Sequence, residues 1–200
     1  VYDRINHGEF SWRDDFKDLH PSPYGQNIYY QSIKTLFQLS EKEYQGEGIV
    51  KVQLPDIRNK AAYDKGRYVD VKQAASLSGF AVVGNWQPAD GKETRPGFVN
   101  VPVLESTQAG SSFVFSFTGN AAGIAVVSGP DAGSIEYCID RGNPHRLNLY
   151  TPWSNALHLP WYLILADGLQ EGNHLLEVKI IPNNGNLGGN ACRIVHFLVN

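Results

Sequence analysis

Methionine is absent from the 200 residues, which begin at Val1. A translation product opens with methionine, so the chain reads as a processed, truncated or excised piece. The lack of a leader then says nothing about secretion, because the end that would carry it is not present. Long hydrophobic runs are missing as well: nothing approaches the roughly 18 consecutive apolar residues of a membrane-spanning helix. Basic charge is sparse and scattered, with 17 Lys and Arg against 20 Asp and Glu and a net charge of -3. That excludes nucleic acid as the expected partner. Only two cysteines occur, Cys138 and Cys192, both in strand-like segments. They can pair across a sandwich or stand as small buried hydrophobes; free thiols in the core are the favoured reading, and two cysteines do not define a redox compartment. Neither has a Cys-x-x-Cys or Cys/His neighbour at ligand spacing, and His7, His145, His158, His174 and His196 form no zinc pattern. No metal or other cofactor is expected. No internal repeat is present either, which excludes a propeller or solenoid.

Apolar residues make up 42% of the chain, enough for one substantial domain and part of a second. From about residue 49 onward, short strand-like segments separated by turn residues dominate. They are Ile49 to Leu54, Arg67 to Val71, Phe80 to Trp86, Phe98 to Leu104, Ser112 to Phe117 and Gly123 to Val127, then Ser134 to Ile139, Arg146 to Tyr150, Trp161 to Leu165, His174 to Ile181 and Arg193 to Val199. Many short strands with Gly, Pro, Asn and Asp between them predict a mainly β sandwich or barrel. Phe113, Phe115 and Phe117 alternate with Ser112, Val114 and Ser116, which places three rings on one face of one strand. That face is the expected core.

The N-terminal portion is different in kind. Asp15-Phe16-Lys17-Asp18-Leu19-His20-Pro21-Ser22-Pro23-Tyr24-Gly25-Gln26 sets acids and a histidine in a Pro-stiffened turn before a helix marked by Ile28, Ile33, Leu36 and Phe37. Ser22 is placed to cap that helix and Pro23 to occupy its first position. A histidine works as a general base when a second group fixes its tautomer and stabilises the imidazolium, and a carboxylate in a rigid turn does both. The acid pairs Asp14/Asp15 and Glu41/Glu43 show no separation of environments that would make one partner an acid and the other a base, so they read as solvated charge.

This turn and helix, roughly residues 10 to 39, resemble the last sequence block of the SGNH (GDSL-type) ester hydrolases, in which an Asp and a His followed by Pro precede the closing helix of an α/β domain. His20 carries over as the general base. The position three before it, where the family has its acid, is Lys17; Asp18 is taken as the acid, with Asp15 as the alternative. The nucleophile block is absent, since the chain has no Gly-Asp-Ser, Gly-x-Asn-Asp or Gly-x-Ser-x-Gly. A second resemblance lies in Gly168-Leu169-Gln170-Glu171-Gly172-Asn173-His174-Leu175-Leu176-Glu177-Val178, together with Ser134 to Gly142. These are similar to a hairpin and its preceding strand in galactose-binding-like jelly rolls attached to carbohydrate-active enzymes.

The two resemblances imply residues 1–40 as the end of an SGNH-type hydrolase domain, 41–48 as a linker, and 49–200 as a jelly-roll β-sandwich accessory domain. They imply the C-terminal part of a secreted or periplasmic serine esterase acting on acylated carbohydrate, its upstream catalytic segment missing from this chain. The alternative is a non-catalytic β-sandwich module that contacts carbohydrate or protein. Sugar sites present aromatic platforms flanked by hydrogen-bonding groups. Trp86, beside Asn85 and Gln87, and Trp153, beside Ser154 and Asn155, are the candidate ligand-binding residues, whereas Trp161 opens an apolar strand and reads as core.

Overall fold

Proline at the first helical position and serine at the cap start the long N-terminal helix in the computed structural model, as their chemistry requires. The structure describes residues 2–9, 11–15, 20–43, 51, 53, 56, 62–183 and 188–200. The chain divides into two compact units, Val1–Asp56 and Ile57–Asn200.

The first unit holds α1 (Tyr2–Asn6), α2 (Trp12–Asp15) and α3 (Pro23–Glu43). Ser22 caps α3: its Oγ accepts the Gly25 N–H at 3.1 Å and its carbonyl accepts the Gln26 N–H at 2.9 Å. The helix runs three residues beyond the expected end because Glu41, Lys42 and Glu43 are good helix formers and Lys42 sits favourably in the last turn. Ile28 is buried, but Tyr29, Tyr30, Ile33, Leu36 and Phe37 are all exposed, Phe37 to 71%. Most of the expected strand Ile49 to Leu54 and most of the expected linker lie outside the described residues; Lys51 and Gln53, which are described, are not in a strand.

The second unit is a β-sandwich. Its strands are β1 (Arg67–Asp70), β2 (Ala75–Ser78), β3 (Ala81–Val83), β4 (Glu93–Thr94), β5 (Val103–Ser106) and β6 (Ser112–Gly119), followed by β7 (Ala122–Ser128), β8 (Ser134–Ile139), β9 (His145–Asn148), β10 (Leu157–Ala166), β11 (Gly172–Ile181) and β12 (Cys192–Val199). One sheet has the order β3-β5-β12-β7-β10-β4, with β1 also paired to β12; the other has the order β2-β6-β11-β8-β9. Among the described residues the named strands pair antiparallel, apart from the two-residue parallel contact of β4 with β10.

The three phenylalanines of β6 face inward, and Phe115 stacks on Phe197 of the opposite sheet with centroids 3.9 Å apart. Ile124, Val126, Ile135, Leu176, Ile180 and Ile194 fill the same core. A second, smaller core lies on the outer face of the larger sheet, where Trp86 and Phe98 cover Ala125, Val127 and Val195. β7 is therefore buried on both faces, which is why it reads as a continuous apolar run.

This second core also explains two misplaced strand expectations. Phe80 to Trp86 and Phe98 to Leu104 are apolar because residues 84–101 fold over the outer face of the sheet as a strap, rejoining its edge at β4, so the strands at the two ends of the strap are shortened to Ala81–Val83 and Val103–Ser106. The strap is closed by Trp86 N–H to Val101 C=O at 3.1 Å and Asn100 N–H to Trp86 C=O at 2.9 Å. At the outer edge of the smaller sheet, β2 pairs with β6 only at Ala75 and Ser78, across a bulge in which Ser76 takes a φ of 50°. Both cysteines are free; burial pushes the Cys192 thiol up to about 12.

Candidate functional site

Asp15 bonds residues on either side of it ahead of α3. Its Oδ2 accepts the Ser11 N–H at 3.0 Å, its Oδ1 accepts the Ser22 hydroxyl at 3.2 Å, and its carbonyl accepts the Ser22 N–H at 2.8 Å. Asp15 thus ties the end of α2 to the cap of α3. His20 lies two residues before that cap and is exposed. Asp18, the expected acid, lies outside the described residues. The carboxylate of Asp15 is committed to joining Ser11 and Ser22, a task its sequence position did not advertise.

Trp86 is not the exposed platform expected from its polar neighbours: it is 3% exposed. Its indole N–H donates to Glu105 at 3.2 Å, the Arg193 guanidinium stands over its ring at 5.2 Å, and His158 meets it edge-on at 5.5 Å. Asn85 and Gln87 gave the segment the look of a loop, but the strap turns the ring between them inward. This creates a polar cluster that no local sequence pattern announces. Arg193 Nε donates to Glu105 at 2.6 Å, and Nη1 and Nη2 donate to Asp131 at 2.7 and 2.6 Å, a bidentate pairing. Burial alone pushes the Asp131 carboxyl up, but the hydrogen bonds and charge of Arg193 overcome this and hold it below the usual carboxylate range. His158 Nε2 lies 3.1 Å from both oxygens of Asp90, whose carboxyl is likewise held low against burial by the Lys92 N–H and His158. These groups line a cavity of about 630 Å³. His158 Nδ1 is buried without a partner, packed against Gly129, where an added Cβ would stand 2.2 Å from it.

Trp153 is 65% exposed, on the short helical turn Pro152–Asn155 that precedes β10. The turn is fastened from beneath by hydroxyls: Ser154 Oγ receives the Thr151 N–H at 3.2 Å, lies 2.7 Å from Thr151 Oγ1, and meets Ser128 Oγ, which in turn donates to the Leu149 carbonyl. Trp161 packs only partly into the core; its ring lies 6.2 Å from that of Trp153 with 31° between the planes. The two indoles therefore form a pair, one exposed on a rigid turn and one half-buried beside it.

Among the described residues, no group of three or more His, Cys, Asp or Glu is arranged to hold a metal, and no helix is long and apolar enough to cross a membrane.

No family model and no curated protein matches the chain. Its fold is similar to that of a two-domain esterase (CEX) active on acetylated mannans, with a TM-score of 0.69 at 16% identity over 99% of this chain and 53% of that one. The same esterase co-crystallized with mannopentaose matches with a TM-score of 0.67 at 16% identity, over 99% and 52% of the two chains. The fold is thus related to that of a carbohydrate esterase, and the chain spans about half the length of that protein.

Proposed function

We propose that the chain is the C-terminal part of a serine ester hydrolase of the SGNH class acting on acylated carbohydrate, with the nucleophile supplied by a segment ahead of Val1. In this reading the serine attacks the ester carbonyl, His20 takes its proton and returns it to the leaving alcohol, and Asp18 orients the imidazole. Asp18 is preferred to Asp15 as the acid because the carboxylate of Asp15 is already engaged by Ser11 and Ser22. The observation that carries the reading is the pairing of His20 with the helix that follows it. α3 leaves Tyr29, Tyr30, Ile33, Leu36 and Phe37 exposed on one side, an apolar face suited to packing inside a larger domain. The fold likeness to about half of a two-domain esterase active on acetylated mannans supports the same division of labour.

The test is acetate release from acetylated mannan by the complete protein. His20→Ala should lower it by at least about a thousandfold without changing the melting of the sandwich. This chain by itself should hydrolyse p-nitrophenyl acetate no faster than its own His20→Ala variant. Full activity of the complete His20→Ala protein would sink the proposal. A second reading, a non-catalytic sugar-binding module, draws on Trp153: an exposed indole on a fastened turn, with Trp161 beside it, suits the apolar face of a pyranose.

A further inference from the structure

Both ring nitrogens of His174 face oxygens that can only accept a hydrogen bond. Nδ1 lies 2.6 Å from Asp140 Oδ2, and Nε2 lies 2.7 Å from the backbone carbonyl of Gln170. An ionised carboxylate and a carbonyl offer no proton, so each nitrogen must bring its own. A neutral imidazole has one N–H and would press a lone pair against one of the two oxygens. Only the imidazolium satisfies both.

The two acceptors belong to different turns. Asp140 and Arg141, with φ of 52° and 59°, form the turn between β8 and β9. Asp140 is fixed there independently of His174, because its Oδ1 accepts the Leu175 N–H at 2.7 Å and its own N–H donates to the Leu175 carbonyl at 2.9 Å. Gln170 lies in the turn between β10 and β11. The side chain joining them is 11% exposed and rests against the Phe117 ring at 5.3 Å. Asp140, Asn173, His174 and Leu175 also line a cavity of about 710 Å³.

We propose that His174 is a proton-operated clasp between the β8–β9 and β10–β11 turns, closed by the imidazolium and released when the ring loses a proton. The charged groups around it are Asp140 from the β8–β9 turn, Glu171 from its own turn, and Arg67 and Asp70 of β1 across the shared cavity. The hydrogen bond to Asp140, then the one to Gln170, raise the His174 pKa above the ordinary imidazole value; burial opposes them. Asp140 is correspondingly held low, chiefly by its bond to His174, so it stays ionised wherever the clasp operates. A raised histidine contributes stability that is complete below the unfolded imidazole pKa and disappears as pH climbs through the folded one. The clasp is therefore closed in mild acid and open in alkali, and opening removes a cation from the cavity wall.

The experiment is nitrogen-15 histidine spectroscopy of the whole chain across pH 5 to 9, with amide exchange measured alongside. Both ring nitrogens of His174 should show imidazolium shifts at the ordinary imidazole pKa of about 6.5. Exchange in residues 140–143 and 168–172, corrected for its intrinsic pH dependence, should rise at least about fivefold above the midpoint. Asp140→Asn keeps a residue that tolerates positive φ and an acceptor for Leu175, so the fold is retained while the midpoint drops. His174→Gln should abolish the pH-dependent step in exchange. A neutral tautomer at pH 6.5 in the native protein, or turn protection that ignores the His174 midpoint, overturns the proposal.

Discussion

Replacing Arg193 with methionine tests whether the polar cluster on the outer face of the sandwich stabilises it. Methionine matches the length of the arginine stem and can cover Trp86, so the change removes charge and hydrogen bonds more than volume. The guanidinium side chain is 8% exposed, Glu105 22% and Asp131 47%. The bond to Glu105 is the well-shielded one and contributes about 1.5 to 3 kcal/mol as a charge-assisted hydrogen bond. The Asp131 pair is half in water and is discounted to about 1 kcal/mol. The cation over the Trp86 ring adds about 0.5 to 1 kcal/mol, while relief of the desolvated arginine returns part of the sum. A net loss of about 3 kcal/mol follows, or roughly 6 to 12 °C in Tm for a unit of this size. Thermal and urea melts at pH 7 followed by circular dichroism measure it. The pH dependence supplies the sign. Asp131 has a depressed pKa in the folded state, so its contribution is present above the usual carboxylate range and is lost as pH falls through the folded value. The gap between native protein and variant should accordingly narrow as pH falls below the ordinary carboxylate value of about 3.9. A methionine variant as stable as the native protein at pH 7, or a gap that does not change in acid, would refute the reasoning.

Two further outcomes follow from the surroundings of Gly129 and Trp153. Gly129→Ala places a methyl 2.2 Å from His158 Nδ1, so the ring must leave Asp90 and Trp86; a loss of about 1 to 3 kcal/mol and a shifted Trp86 fluorescence spectrum are expected. An unchanged spectrum and melt would mean that His158 is not wedged there. Trp153→Ala should leave the melt within about 0.5 kcal/mol, since the ring is largely in water, yet abolish any retardation of the chain in gels containing mannan. Unaltered retardation would remove Trp153 from the sugar-binding reading.

The parts of the fold legible in the sequence were those decided locally or by burial on one face. The Phe113, Phe115, Phe117 alternation, the Ser22-Pro23 helix start and the apolar run of β7 each carry their structure in a few adjacent residues. β2, Ala-Ser-Leu-Ser, and β4, Glu-Thr, do not: small or polar residues become strands there because β6 and β10 offer them partners. Trp86 was misplaced for a related reason. Its polar neighbours describe a loop, whereas the ring is buried with Ala125, Val127 and Val195 and lies beneath Arg193, which is itself held by residues 88 and 62 positions away in the chain. The His174 clasp spans 34 positions and was hidden within a hairpin whose sequence reads only as a turn and a strand. The start of α3 was visible because Pro21 and Pro23 flank the capping Ser22.

The bulge in β2 has a consequence for what the molecule does in company. An outermost strand normally displays a row of backbone donors and acceptors to which another molecule can add a strand of its own. In β2 the left-handed Ser76 throws two positions out of step, so an incoming strand cannot stay in register along it. β4, the end of the larger sheet, offers only two residues. At the opposite end of the smaller sheet, β9 sets the exposed residues His145 and Arg146 on a four-residue strand. Among the described residues these three ends are poor templates, and crowding many copies together should not join them edge to edge into fibres.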